Sequence, residues 1–321
     1  MKLVTFLITT YNSEKWIKEC INSVCQQSYS NLQILIIDDG SIDDTPKIIS
    51  EIKDSRIDFY LKPHSGISKS LNFAMDKISG NYVARMGADD YCNINRIKFQ
   101  MEFITQNPEY GIVGSNYYLV DSKNNLVKKI RNPEKDEWIK NLMQRRCCVW
   151  DGSAIFDSNI FKNGFNDTLV VGEDWDFFLR VLDMTRFYNI SNFLTYKRIH
   201  SQNVTNSSFA QLESKKIALN YNKSLISVSR DRNKIAQSYF NIGAIYYYDN
   251  DFKTAETYFN SALKCTSNSL QFYRYYIFTK YLPWLVKFIR KRKYYKYFAF
   301  LKIIDRRNRF FINDKIISNK N

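Results

Sequence analysis

Three pairs of adjacent carboxylates carry the plainest chemical signal in this chain: Asp38-Asp39, Asp89-Asp90 and Glu173-Asp174. The first pair closes the strand-like run of I-L-I-I-D-D-G-S-I-D-D-T, Ile34 to Thr45. An unbroken apolar run followed at once by turn residues fits a parallel strand covered on both faces. Asp38 and Asp39 then stand at the carboxyl end of a central strand, where open α/β sheets bind their ligands. Buried acids are costly there unless a cation or hydrogen-bond donors receive them. Asp89-Asp90 follows a second such segment, Asn81 to Met86. Strand-end acids with little basic charge nearby suit a divalent cation carrying a phosphorylated ligand, since Mg²⁺ and Mn²⁺ take one or two carboxylates plus phosphate oxygens. Clustering of acids in surface turns is the plainer alternative; three pairs in a sheet context weigh against it.

The elements that must position these acids follow a regular rhythm. Leu3 to Thr9 reads as a buried strand. After Asn12-Ser13 comes a helix whose apolar positions, Trp16, Ile17, Cys20, Ile21, Val24 and Cys25, keep a helical spacing. Strand Gln33 to Ile37 leads into a helix over Pro46 to Lys53, with Thr45 expected at its cap and Pro46 at its first position. Ile57 to Leu61 is a third strand, Gly66 to Ser79 a helix, and Asn81 to Met86 a fourth strand. This alternation predicts an α/β fold: a Rossmann-like, mostly parallel sheet with helices on both faces. Past Gln106 shorter strands are expected (Ile112 to Ser115, Tyr117 to Asp121, Leu126 to Lys129), then a helix over Lys135 to Gln144. Another helix starts at Glu173, and a last strand runs from Phe193 to Ile199. An acidic helix start at Glu173-Asp174 is also what the helix dipole favours.

From about residue 209 the pattern turns helical, so a catalytic domain over 1–208 and a helical region over 209–321 are expected. Tyr239, Ile242, Gly243, Tyr246, Ala255, Phe259 and Ala262 fall in the register of one tetratricopeptide-like hairpin near 235–267. One copy is too few for a solenoid.

The formal charge of +15 brings nucleic acid and anionic membranes into view. Twelve Lys or Arg against Asp305 and Asp314 between Lys280 and Lys315 supply +10 of it, leaving +5 elsewhere. Basic amphipathic helices over 280–311, with Trp284, Leu285, Phe288 and Ile289 on one face, have the composition of an interfacial membrane element. A solvated basic face on a helix packed against the catalytic domain is the alternative. No recognition motif accompanies the charge, so nucleic acid is not expected as a partner. Six cysteines without C-x-x-C pairing read as free thiols. The amino-terminal apolar run is too short for a signal peptide, and no stretch reaches the ~20 apolar residues of a membrane span. A cytoplasmic protein, peripheral at the inner face of the membrane, is expected.

T-T-Y-N at Thr9 to Asn12, S-V-C-Q-Q-S-Y at Ser23 to Tyr29, I-I-D-D-G-S-I-D-D-T, A-D-D at Ala88 to Asp90 and G-E-D-W-D at Gly172 to Asp176 together resemble family 2 glycosyltransferases with the GT-A fold, over about residues 1–205. The resemblance implies inverting transfer of a sugar from a nucleotide-diphosphate donor, a UDP-sugar above all, to a hydroxyl of a glycan or glycolipid acceptor. It puts Thr9, Tyr11 and Asp39 around the nucleobase, with Asp38 beside them, and Asp89 at the ribose. Asp90 would hold Mg²⁺ or Mn²⁺ against the diphosphate. Arg198-Ile199-His200 resembles the family's R-x-H element and would bring Arg198 to the diphosphate and His200 to the metal. Asp174 matches the general base, which must reach the attacking hydroxyl; the adjacent Glu173 is the alternative. Trp150 and Asp151 lie where relatives contact the acceptor. His64, in K-P-H-S-G, reads as a loop residue. One departure stands out: many relatives have D-A-D-D, whereas Gly87 occupies the first position here.

Two other classes fit parts of the pattern. A nucleotidyltransferase would also bind nucleotide and metal, but T-T-Y-N-S-E is no glycine-rich phosphate loop. A repeat-type binding protein would need more hairpins. Oligomeric state is not readable.

Overall fold

A computed structural model describes residues 1–201, 203, 208–266 and 269–283. The chain divides into two compact units, Met1–Ala210 and the residues from Gln211 on. The first alternates strand and helix: β1 (Val4–Thr10), α1 (Ile17–Cys25), β2 (Leu32–Asp38), α2 (Thr45–Glu51), β3 (Ile57–Leu61), α3 (Ile67–Ala74) and β4 (Tyr82–Gly87). A two-residue strand β5 (Tyr91–Cys92) and helix α4 (Arg96–Gln106) follow, then the hairpin β6 (Tyr110–Val120) and β7 (Leu126–Ile130), and α5 (Asp136–Met143). The short β8 (Ile155–Asp157) and α6 (Ser158–Phe161), then α7 (Glu173–Arg180) and β9 (Arg186–Arg198), complete it.

All but β7 lie in the sheet order β3-β2-β1-β4-β8-β6-β9-β5, with β7 paired to β6. The half built from β1 to β4 is parallel throughout, as its apolar strands require. Beyond β4 the sheet is mixed: β8 runs antiparallel to β4 and β6, while β6 and β9 are parallel. One face buries Val4, Phe6, Ile8, Ile34, Ile36, Tyr82, Ala84 and Met86 against Ile17, Cys20, Ile21 and Val24 of α1 and Ile97, Met101 and Ile104 of α4. The alternate residues Leu7, Leu35 and Ile37 are also fully buried, and α3 packs on β1 and β2. Because β1, β2 and β4 are parallel and adjacent, their carboxyl ends share one edge, with Thr10 opposite Asp38 and Thr9 opposite Gly87.

Several boundaries differ from the sequence expectation. Asp44, not Thr45, precedes α2, and Pro46 falls at its second position. The Thr45 hydroxyl instead accepts the Ser13 N–H at 2.8 Å, tying the loop after β1 to the loop after β2. The helix expected to Ser79 stops at Ala74 and tightens into a 3-10 turn over Met75–Lys77. The two short strands expected within 112–121 are one, β6, and the last strand begins at Arg186 rather than Phe193.

The second unit is helical. With α8 (Ser208–Val228) come α9 (Arg232–Tyr248), α10 (Phe252–Cys265) and α11 (Leu270–Tyr281). α9 and α10 form a helical hairpin around Phe240, Tyr247, Ala255, Phe259 and Ala262, closed by Phe272 and Tyr275. Asp231 and Asp251 cap them through carboxylates that accept from Asn233 N and Thr254 N. The basic helices expected over 280–311 lie, from Trp284 on, outside the described residues. Among the described residues no helix is long and apolar enough to cross a membrane.

Candidate active site

The loops after β1, β2 and β3 knit together through short polar side chains. Asn12 N–H donates to Ser41 Oγ at 2.8 Å, and Asn12 Oδ1 accepts from Ile42 N at 2.9 Å. Asp43 accepts from Glu14 N and Thr45 N. Asn12, Ser41, Asp43 and Thr45, all within the two opening motifs, thus bind each other and fix the edge of the sheet. Gly40, at φ +79°, lets the segment Lys62–Gly66 close on this edge, because a Cβ there would come within 2.7 Å of His64 N.

Asp38 is fully buried. Its Oδ1 accepts from Ser41 N at 2.7 Å and its Oδ2 has no partner, so burial raises its pKa. Asp38 therefore shapes the turn from within. Asp39 faces a dense set of donors, Ser65 N at 3.0 Å, Gly66 N and Ser70 Oγ at 2.8 Å and Lys62 Nζ, and its Oδ2 lies 2.9 Å from His64 Nδ1. Burial opposes its ionisation, but these donors outweigh it and hold the carboxyl below its ordinary value. The His64 ring stacks on Tyr11 at 4.2 Å, and Tyr11 is 44% exposed. Thr9 Oγ1 lies 3.5 Å from an Arg85 nitrogen.

At the end of β4, Asp89 Oδ2 meets His200 Nε2 at 3.1 Å and accepts from Asn203 Nδ2 at 3.0 Å. Asp90 is buried, and Oδ1 accepts the Arg198 N–H at 2.8 Å. Burial first, and then the charge of Asp89, push the Asp90 carboxyl well above its ordinary value. A Cβ on Gly87 would lie 2.8 Å from Asp89 Oδ1 and 3.0 Å from Asp90 Oδ2. The two carboxyls fold over the glycine into the space that a side chain would fill.

These residues fit a divalent cation in a specific sense. Among the described residues no group of three or more His, Cys, Asp or Glu gathers as a protein cage. Two hard carboxylate oxygens converge over Gly87, and a cation there would relieve the mutual repulsion and burial that disfavour Asp90 ionisation. Such a sparse pair suits a cation whose remaining ligands come from phosphate and water.

Arg198 anchors the turn that carries Asp89. Its side chain is 1% exposed; Nε donates to the Asp89 carbonyl at 2.8 Å, one terminal nitrogen to Glu19 at 2.7 Å and the other to Asn124. The guanidinium also lies over the Trp16 ring at 4.2 Å. Nε thereby fixes the backbone at Asp89, and the terminal nitrogens tie it to Glu19 and Asn124. His200 stacks on Trp16 at 5.9 Å.

Glu173 and Asp174 open α7 after Gly172, which takes φ +80°. Asp174 is half-buried, and its Oδ1 accepts from Trp175 N at 2.7 Å. Burial raises its pKa, opposed by the Trp175 N–H and the charges of Arg85 and Lys197. Glu173 is 8% exposed; burial and then the charge of Asp174 raise its carboxyl to about 7. The buried Arg85 pairs with Asp151, and its Nε has no partner. Trp150 packs on Tyr117 at 4.6 Å, with Lys197 Nζ 5.4 Å from its ring centre. Trp150 and Asp151 are therefore linked electrostatically to the Glu173-Asp174 end of the site.

Sequence reasoning missed Lys62, Arg85, Trp16 and the stacking role of His64. K-P-H-S-G did carry a signal: a cation and an imidazole just before a helix start. Arg85 carried none, being one charge inside an apolar strand.

Residues 5–165, half of the chain, match the model of Glycosyl transferase family 2. The chain belongs to that family. It is 30% identical over 218 residues, 66% of this chain and 83% of the relative, to UDP-Glc:alpha-D-GlcNAc-diphosphoundecaprenol beta-1,3-glucosyltransferase WfaP of Escherichia coli. Its fold resembles that of S. aureus TarS 1-349 in complex with UDP-GlcNAc, with TM-score 0.62 and 14% identity over 82% of this chain and 81% of that one. It also resembles the mannosyltransferase PcManGT of Pyrobaculum calidifontis in complex with GDP-Man and Mn²⁺, with TM-score 0.57 and 14% identity over 91% and 88%. The α/β unit is a GT-A glycosyltransferase fold.

Proposed function

We propose that this glycosyltransferase moves a sugar from a nucleotide-diphosphate donor, a UDP-sugar first, to a hydroxyl of a lipid-linked glycan, with inversion at the anomeric carbon. The observation that carries the reading is the shared sheet edge. There the Tyr11–His64 stack stands over Asp39, and Asp89 and Asp90 close over Gly87 on the next strand but one. A flat base can stack on exposed Tyr11, with Thr9 and Asp39 offering polar contacts after Lys62 or His64 gives way and Asp38 holding the turn. Asp89 serves the ribose. Asp90, with His200, is the reading for Mg²⁺ or Mn²⁺, which would neutralise charge on the departing diphosphate. Arg198 acts by fixing Asp89 and Asp90.

Asp174 is the proposed base. The acceptor oxygen attacks the anomeric carbon as the bond to the diphosphate breaks, and the hydroxyl proton passes to the carboxylate. Asp174, less buried than Glu173, is the one open to an acceptor, with Trp150 and Asp151 beside it. A second reading gives the role to Glu173, whose carboxyl near 7 is tuned to take up and return a proton at neutral pH. Asp174→Asn and Glu173→Gln separate them when nucleoside-diphosphate release is measured with an added acceptor. The variant lacking the base should lose roughly 10²-fold or more in turnover with unchanged donor affinity. Near-normal turnover in both would remove this pair from the chemistry.

The acceptor class draws support from the lipid diphosphate in the name of the E. coli relative. Peripheral association with the inner face of a membrane through the basic segment 280–311 belongs to the same proposal, as does a tetratricopeptide-like character for the α9–α10 hairpin.

A further inference from the structure

The β6–β7 hairpin presents a surface that the transfer reaction does not use. At its tip Leu126 is 55% exposed and Val127 53%. Two neighbouring apolar side chains left in water at a hairpin end contribute nothing to the core. Lys129 of β7 and Arg131 just past its end share one face, where Lys129 sits opposite Tyr118 of β6; a register shift then pairs Leu126 with Val120 on that same face and leaves Val127 as the extra residue at the tip. Lys129 Nζ lies 5.6 Å from the Tyr118 ring centre and the Arg131 guanidinium 5.2 Å from that of Phe193. Tyr118 and Phe193 stack at 4.8 Å and are partly exposed. This face therefore combines an apolar tip, half-open aromatic rings and exposed cations.

Cations outnumber acids here. Lys123, Lys129 and Arg131 are exposed, and so are Lys15 and Lys18 around α1. Of the nearby acids, Glu19 is paired with Arg198, while Asp121 folds back into the turn to accept from Lys123 N, Asn125 N and Asn125 Nδ2 and keeps its charge. Through Asn124, which contacts both Glu19 and Arg198, the tip is tied to α1, so the apolar and basic groups are held together. Glu19, Lys15 and Lys18 also line, with Tyr91, an open recess of about 540 Å³.

We propose that this hairpin face docks on an anionic lipid bilayer, with Leu126 and Val127 entering the headgroup boundary and Lys123, Lys129 and Arg131 meeting lipid phosphates. Apolar and aromatic groups rimmed by lysine and arginine are the composition that settles at such an interface. The surface is distinct from the basic segment 280–311, and it deepens the lipid-linked acceptor reading by bringing the enzyme to its acceptor's membrane. Binding is read without turnover, so failure of either idea leaves the other standing.

The test uses the full chain and vesicles of phosphatidylglycerol with phosphatidylcholine, against phosphatidylcholine alone. Leu126→Trp reports insertion directly: quenching by brominated lipid should exceed that of the unsubstituted protein in anionic vesicles. A second variant, Val127→Ser with Lys129→Gln and Arg131→Gln, should bind anionic vesicles at least tenfold more weakly, with an unchanged melting temperature. Quenching of the Leu126→Trp variant no greater than that of the unsubstituted protein overturns the proposal, whatever segment 280–311 does. Soluble inorganic polyphosphate that competes away all vesicle binding, with no added quenching in the Leu126→Trp variant, would assign the face to a polyanion instead and also overturn it.

Discussion

At Glu173, burial and the adjacent Asp174 charge raise the carboxyl from 4.5 to about 7. Folding thus favours the protonated form: the native state keeps the proton up to about pH 7, while the unfolded chain releases it near 4.5. The stability linked to that proton is whole below about pH 4.5 and is lost as pH rises through about 7. Glu173→Gln, neutral at every pH, should melt with the parent protein at about pH 4 and above it at about pH 8. Equal melting temperatures at the higher pH would contradict the assignment. Gly87 supports a second prediction. An aspartate there would put its Cβ against Asp89 Oδ1 and Asp90 Oδ2. Gly87→Asp should therefore lower Mn²⁺ affinity in the presence of UDP by roughly tenfold or more, measured by calorimetry, despite the added acid. At this scale the sequence singled out the acids, Tyr11 and His200, and the structure sets His200 against Asp89 and the Tyr11–His64 stack against Asp39. It could not reveal that Arg198 holds Asp89 and Glu19, because a guanidinium's partners are set by strands far apart in sequence.

Strands and helices were legible where one force dominated. β3 matches its expected span, and α1 buries Ile17, Cys20, Ile21 and Val24 as its periodicity requires. Boundaries slipped where side chains found tertiary partners. Thr45 left the cap to receive Ser13, and β9 extends back to Arg186 because its first half pairs in parallel with β6. The helical unit offers its own test. Gly243 of α9 lies so close to α10 that a Cβ would come within 2.7 Å of the Phe259 ring. That ring is fully buried among Phe240, Tyr247 and Tyr275 and has little room to yield. Gly243→Ala gains about 1 kcal/mol of helix propensity, yet overpacking costs about 1–3 kcal/mol. The overpacking should win, lowering the urea midpoint followed by helical circular dichroism; an unchanged or raised midpoint would show that the hairpin repacks freely.

Over the whole molecule, the alternation of strand and helix was enough to foresee a parallel α/β sheet, because fully apolar strands with helical connections leave few other solutions. The order of strands was not foreseeable, and that order makes the site. Only with β1 between β2 and β4 do Asp39 and Asp90 share an edge, and only with β9 beside β5 does Arg198 reach Asp89. The mixed second half rests on short pairings such as β4 with β8, which three residues cannot announce by pattern. The central claim is that this edge binds a nucleoside diphosphate through a cation at Asp90. It is tested most directly by titrating UDP into the protein in a calorimeter, with Mn²⁺ and then with EDTA, alongside Asp90→Ala. The account predicts binding that needs Mn²⁺ in the parent protein and loses that dependence in an Asp90→Ala variant that still melts cooperatively. UDP binding of equal strength in all arms, or no UDP binding by the parent with Mn²⁺, would contradict it.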